Sequence, residues 1–148
     1  MHIRQATLDD LDALVPLLEG YRHFYRQPGA PEQAREFLAE RFAKEDSLIL
    51  LAVDERDQAF GFTQLFPTLN TVRLTTRWIL NDLFVDPEAR RQGAGKALLE
   101  AARAHGEQAN VGEMRLATQV DNHAAKTLYE SLGWQRMAGF DHYTLVLT

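Results

Sequence analysis

The stretch from residue 80 to residue 99, Leu-Asn-Asp-Leu-Phe-Val-Asp-Pro-Glu-Ala-Arg-Arg-Gln-Gly-Ala-Gly-Lys-Ala-Leu-Leu, constrains this chain more than any other. Leu83-Phe84-Val85 reads as the end of a long strand that Pro87 stops. Gly93 and Gly95 then open a helix whose Leu98, Leu99 and Ala102 share one face. Glycines at i and i+2 let a backbone approach a ligand with no Cβ in the way. A helix start adds free N–H groups and a positive dipole end, which together suit a diphosphate. Arg90, Arg91 and Lys96 add positive charge around Gln92 and Ala94. Plain turn chemistry also explains glycines before a helix. A dinucleotide-binding turn would need a third glycine where Leu98 stands, and an acidic residue ending the next strand. A phosphate-binding P-loop is excluded, because no Gly-Lys-Ser/Thr follows at the required spacing.

The remaining segments alternate between helix and strand patterns. Residues 2–5 read as a first strand, and Thr7 with Asp10 as a capping box. Leu11, Leu14, Val15 and Leu18 recur at helical spacing, with Pro16 expected to kink or shorten that helix. Pro28-Gly29 breaks the aromatic and basic segment 21–29. Pro31 suits the first position of a second helix with Ala34, Leu38 and Phe42 inward. Ser47–Val53 is an apolar run expected to be covered on both faces. Ala59–Phe66 reads as its antiparallel partner, and 73–86 as the long strand. Residues 93–110 form a helix, Met114–Val120 a strand, and Asn122–Leu132 a helix closed by Gly133. Trp134–Met137 and His142–Leu147 read as two last strands. This order predicts a single α/β domain over residues 1–148, with helices on both faces of a mixed, mostly antiparallel sheet of about seven strands.

Composition narrows the function. The 148 residues carry no cysteine, which excludes disulfides, a thiol nucleophile and thiolate metal sites. The five histidines show no H-x-x-x-H spacing, so no metal is expected. A formal net charge of −5 disfavours nucleic-acid binding and permits cationic partners. No apolar run approaches the ~20 residues of a membrane span, and no signal peptide is visible. A soluble cytoplasmic protein with no membrane partner is the expectation.

Arg90-x-x-Gly93-x-Gly95 after Leu83-Phe84-Val85 matches the acetyl-CoA signature of the GCN5-related N-acetyltransferase (GNAT) superfamily. Asn122-x-x-Ala125-x-x-Leu128-Tyr129-x-x-x-Gly133-Trp134 resembles the family's second signature, with Trp134 where members usually have Phe. The element order also matches, so the resemblance covers nearly the whole chain. Residues 80–85, the aromatics Tyr21–Tyr25 and Phe140-x-x-Tyr143 look like the histone- and polyamine-acetylating branch.

The resemblance implies direct attack of a primary amine on acetyl-CoA in a ternary complex. The acceptor is expected to be a polyamine, a lysine side chain or a small metabolite amine. Backbone amides of residues 90–96 would take the diphosphate, and Leu83, Phe84 and Val85 would pair with the pantetheine arm as an added strand does. A bulge in this strand would free an N–H for the thioester oxygen. Asn122 would cap its helix and touch the pantetheine, with Lys126 nearby. Tyr129 stands where the family places the acid that protonates the leaving thiolate; as residues alone, its place on the helix's apolar stripe reads as a core aromatic. Polyamine-acetylating members usually carry Glu at the position of Asn81, which cannot accept a proton. Asp82 is then the candidate base or a structural carboxylate. Regular alternation would put it on the face opposite Asn81 unless a bulge re-aims it. Tyr21, Phe24 and Tyr25, followed by Arg26, either shape an acceptor pocket that holds an ammonium by cation–π attraction or form a cluster pinning their loop. Homodimerisation is common in the family. The reading from a different functional class is a catalytically weak acyl-CoA-binding module, which the Asn81 departure favours.

Overall fold

In the computed structural model, which describes residues 1–148, the elements run β1 (His2–Gln5), α1 (Leu11–Phe24), α2 (Pro31–Lys44), β2 (Leu48–Val53), β3 (Ala59–Asn70), β4 (Thr75–Val85), α3 (Ala94–Gln108), β5 (Glu113–Arg115) and α4 (His123–Ser131). The chain separates into two compact units, Met1–Leu116 and Ala117–Thr148. The first holds a five-stranded sheet in the order β1-β2-β3-β4-β5. The pairs β1–β2, β2–β3 and β3–β4 are antiparallel, and β4–β5 is parallel. The parallel pair requires a crossover, which α3 supplies.

Alternation along β2 sorts the core into two layers. Ile49, Leu51 and Val53 join Leu14, Leu17 and Leu18 of α1, Ala34 and Leu38 of α2, and Phe62 and Phe84. Leu50 and Ala52, also fully buried, face the opposite way, toward the α3 side where Leu98, Leu99 and Ala102 are buried. β2 is thus covered on both faces, which is why it needs no polar position. Asp10 accepts from the Thr7 N–H at 2.8 Å, the carboxylate half of the expected box, heading a short 3-10 turn before α1. Pro16 does not stop α1, which runs on to Phe24. It sits in the second turn, where its missing N–H forfeits a single ladder bond.

The expectation of about seven strands is corrected to five. Residues 134–137 and 142–147 lie in the second unit and belong to no strand. Gly139, at φ +92, divides them, and an isolated two-stranded hairpin is marginal in water. β5 is shorter than the expected Met114–Val120. Its ladder runs from Arg77↔Glu113 to Ile79↔Arg115 and stops just before a register shift in β4. β3 continues past Phe66 through Pro67, which pairs with Trp78. Beyond Leu65 the β2 ladder has ended, so β3 is an edge there and a proline is tolerated.

Glu113 pins β5 to the sheet. Its carboxylate accepts from Arg77 Nε and Asn70 Nδ2, both at 2.6 Å, with Arg73 and Arg115 also within 4.0 Å. The Arg77 bond above all holds its pKa below the ordinary 4.5. A depressed folded-state pKa contributes stability above the unfolded value, and this is lost as pH falls through the folded one. Glu113→Gln is therefore expected to lower Tm at neutral pH and to shrink the drop in Tm between about pH 5 and pH 3. Parallel Tm–pH curves for the two proteins would refute this.

Candidate active site

The site in the first unit follows from how β4 is built. β5 leaves β4 after Ile79, so the outer edge of residues 80–85 has no strand partner. An unpartnered edge presents a row of N–H and C=O groups able to take an extended ligand. α3 begins at Ala94, after the turn that follows β4. Arg91 and Gly93 there adopt left-handed φ values of +71° and +77°, and Gly93 is the N-cap of α3. Left-handed residues in a turn of this kind are an ingredient of the backbone concavities that bind anions. A Cβ at Gly93 would meet nothing within 4 Å, so the demand for glycine is one of φ, and the space above it stays open to a ligand. Arg91 pays on the order of 1 kcal/mol for the same conformation, a strain typical of ligand clamps. Arg90 Nε donates to the Val85 carbonyl at 3.2 Å, tying the turn to the end of β4. Arg90, Arg91, Gln92 and Lys96 are exposed around it, and Ala94 is buried beneath.

The register shift gives the second feature. Gln64 pairs with Asp82 and Leu65 with Leu80, which leaves Asn81 as an extra residue, a β-bulge. Leu80 and Asp82 would share a face in a regular strand. The bulge separates them: Leu80 lies opposite Leu65, whereas Asp82 joins Gln64 and Phe62 on the α1 side. Asn81 is exposed, yet its Nδ2 lies 3.2 Å from both Asp82 carboxylate oxygens. The two side chains that alternation would keep apart are in contact. Asp82 is 8% exposed. Its carboxylate accepts from Gln64 Nε2 at 2.8 Å, and its carbonyl from Thr63 Oγ1 at 2.8 Å.

Over the bulge sits Tyr21 of α1. Its hydroxyl donates to the Asn81 carbonyl at 3.2 Å. Burial first, and the Asp82 charge second, push this phenol far above its ordinary pKa, so it remains a donor. Its ring meets those of Tyr25, Phe62 and Phe84 edge-on at 5.0 to 6.3 Å. Phe24 reaches only Tyr25, at 5.2 Å, and is half exposed. The loop after α1 is fastened at its base. Glu19 accepts from the Ala30 N–H, and Arg22 bridges Glu19 to the Pro28 carbonyl. A separate cavity of about 510 Å³ lies along α1 between Pro16, Gly20, Asp57, Phe84 and Pro87. It does not include the bulge, and the carboxylate chemistry there outweighs volume in locating the site.

The second unit carries α4. Asn122 caps it, its Oδ1 accepting from the Ala125 N–H at 3.2 Å. Lys126 donates from Nζ to the Val120 carbonyl. The helix ends in a double closure: Gly133 N–H bonds to Glu130, Trp134 N–H to Tyr129, and Gly133 takes φ +94°. That turn brings the Trp134 ring within 6.3 Å of the Tyr129 ring, and both are half buried.

A model of the Acetyltransferase (GNAT) family matches residues 14–134. The chain belongs to the GNAT family. YhfO of Bacillus subtilis strain 168, an uncharacterised N-acetyltransferase, is 43% identical over 98% of this chain and 97% of its own length. A probable acetyltransferase of Haemophilus influenzae is 37% identical over 70% of each chain. The crystal structure of a probable acetyltransferase superposes with a TM-score of 0.93 at 42% identity, covering 100% of this chain and 99% of that one. This GNAT protein is an acetyl-CoA-dependent N-acetyltransferase with a mixed α/β fold.

Within the GNAT fold, the first unit brings together Asn81, Asp82 and Tyr21, with Tyr25 on the Tyr21 ring. Leu83–Val85 and residues 90–96 follow along the same edge. Asn122, Lys126 and Tyr129 share α4 or its cap in the second unit. Gln64 and Ser47 were not singled out from the sequence. The signal was there: Gln64 is a lone amide in the apolar run Phe62-Thr63-Gln64-Leu65, and a buried amide must find partners.

Proposed function

We propose that this GNAT enzyme acetylates a primary aliphatic amine that arrives as an ammonium ion, with Asp82 as the base that removes its proton. Acceptors of this class are polyamines, lysine side chains and small metabolite amines. The observation that carries the reading is the Asp82 carboxylate, buried at the bulge among neutral partners. Buried carboxylates are ordinarily paired with a cation. An ammonium supplies that charge, and the Tyr21 and Tyr25 rings add cation–π attraction.

In this proposal the nest at residues 90–96 holds the diphosphate, and the open edge at Leu83, Phe84 and Val85 holds the pantetheine. Asp82 takes the ammonium proton through a water that Asn81 orients, freeing the nitrogen lone pair. The nitrogen attacks the thioester carbon while an unpaired bulge N–H stabilises the oxyanion. The C–S bond then breaks as the Tyr129 hydroxyl protonates the thiolate; the adduct nitrogen sheds its extra proton to solvent to give the amide, and the Tyr129 phenolate regains a proton from solvent. In the second unit, Asn122 and Lys126 are the pantetheine contacts that the family resemblance implies. With no cysteine in the chain, direct transfer in a ternary complex is the economical route.

A panel of polyamines, a lysine-containing peptide and small amines, incubated with enzyme and acetyl-CoA, tests this by release of free thiol. The expected result is turnover with primary aliphatic amines and intersecting initial-velocity lines. Parallel lines would indicate an acyl-enzyme and overturn direct attack. Acetyl-CoA binding without thiol release for any amine would leave an acyl-CoA-binding module.

A further inference from the structure

A buried side chain that donates to a carboxylate controls both its aim and its proton affinity. Asp82 is flanked by one such group that touches no exposed surface, Gln64, which is 1% exposed. The Gln64 amide is fixed at both ends. Its Oε1 accepts from the Ser47 hydroxyl at 3.0 Å, and its Nε2 donates to Asp82 Oδ2 at 2.8 Å. The Ser47 bond decides which end of the amide faces the carboxylate, because a hydroxyl donating to oxygen leaves the NH₂ pointing at Asp82. The chain of contacts runs from the start of β2, across β3, to the bulge of β4.

The surroundings of Asp82 make that one amide count. α1 presents the Tyr21 phenol, which stays protonated. Ser47 stands just before β2, β3 presents Phe62 and Gln64, and β4 presents Asn81 and Phe84, none of which titrates. The exposed Asn81 amide is shared between both oxygens at a longer 3.2 Å, so Gln64 makes the shorter, undivided bond. A hydrogen bond to the charged form of an acid favours that form.

We propose that Gln64, oriented by Ser47, is the positioning residue that holds the Asp82 carboxylate aimed at the bulge. This rests on Asp82 being the base. Gln64 touches neither the amine nor the thioester; it acts through Asp82.

The test uses the full-length enzyme, with kcat/KM for the best amine of the panel measured across pH. Gln64→Glu sets a second carboxyl against Asp82, and two carboxyls sharing a site force one to retain its proton. The acid limb of the kcat/KM profile is expected to move to higher pH than in wild type by about one unit or more. Ser47→Ala, a far smaller change, is expected to move the acid limb the same way by about half a unit, with KM for acetyl-CoA unchanged, because the Gln64 amide is then free to rotate. Should Gln64→Glu fail to fold, Ser47→Ala carries the test. Asp82→Asn separates the two levels. If it leaves the profile unaltered, the base assignment falls and the relay with it. If it changes the profile while the folded Gln64 and Ser47 variants keep the wild-type acid limb, the relay alone is overturned.

Discussion

Tyr129→Phe is expected to lower kcat by about a hundredfold while KM for acetyl-CoA stays within about threefold, the scale of losing a general acid. The substitution removes the hydroxyl and keeps the ring. The ring keeps its place 6.3 Å from Trp134, and the carbonyl of residue 129 still accepts from Leu132 and Trp134 at the helix end. Tm is therefore expected to move by no more than a few degrees, a loss of about 1 kcal/mol at most. What changes is the fate of the leaving thiolate. A thiol of pKa near ~8.5 departs far more readily when protonated as the bond breaks. Steady-state kinetics beside a thermal melt checks both halves. A kcat within twofold of wild type would return Tyr129 to the status of a packed aromatic, which its place on the α4 stripe also permits.

Periodicity and end signals made most of the elements legible. Leu14, Val15 and Leu18 of α1, and Ala34 and Leu38 of α2, are buried as their spacing predicts. Pro31 opens α2, and Gly133 closes α4 at positive φ. These features depend on residues within a turn or two of one another. The misread features depend on distant neighbours. β5 is three residues long because β4 turns away at its bulge, not because of anything in residues 116–120. β3 outruns Phe66 because β4 is long enough to pair with it. Residues 134–147 carry apolar side chains suited to strands, but a strand exists only where a ladder is supplied. The glycine turn at the start of α3 was legible because Gly93 answers a local demand for positive φ. The carboxylate network was half legible. Asn81-Asp82 between Leu80 and Leu83 breaks alternation, a hint of the bulge, whereas the pairing of Asp82 with Gln64 is a matter of register across 18 residues.

That bulge allows a test that separates fold from catalysis. Deleting Asn81 outright is expected to leave the sheet intact and to abolish most activity. The deletion would join Leu80 directly to Asp82. Neighbours in a regular strand point to opposite faces, and Leu80 and Asp82 already do. Leu65↔Leu80 and Gln64↔Asp82 would then become consecutive rungs of an unbroken ladder. Every buried side chain on either side of the cut therefore keeps its layer, where a one-residue change elsewhere in β4 would invert one end of the strand. The site loses three things together. The Asn81 carbonyl no longer receives Tyr21, its amide no longer touches Asp82, and the unpaired bulge backbone is drawn into the ladder. Removing one oxyanion donor alone costs about 10²–10³ in kcat, so a loss of at least that size is expected. Circular dichroism and a melt establish the first half, thiol release the second. A deletion variant that unfolds would show the bulge to be structural. One that folds and turns over within tenfold of wild type would remove the bulge from the mechanism.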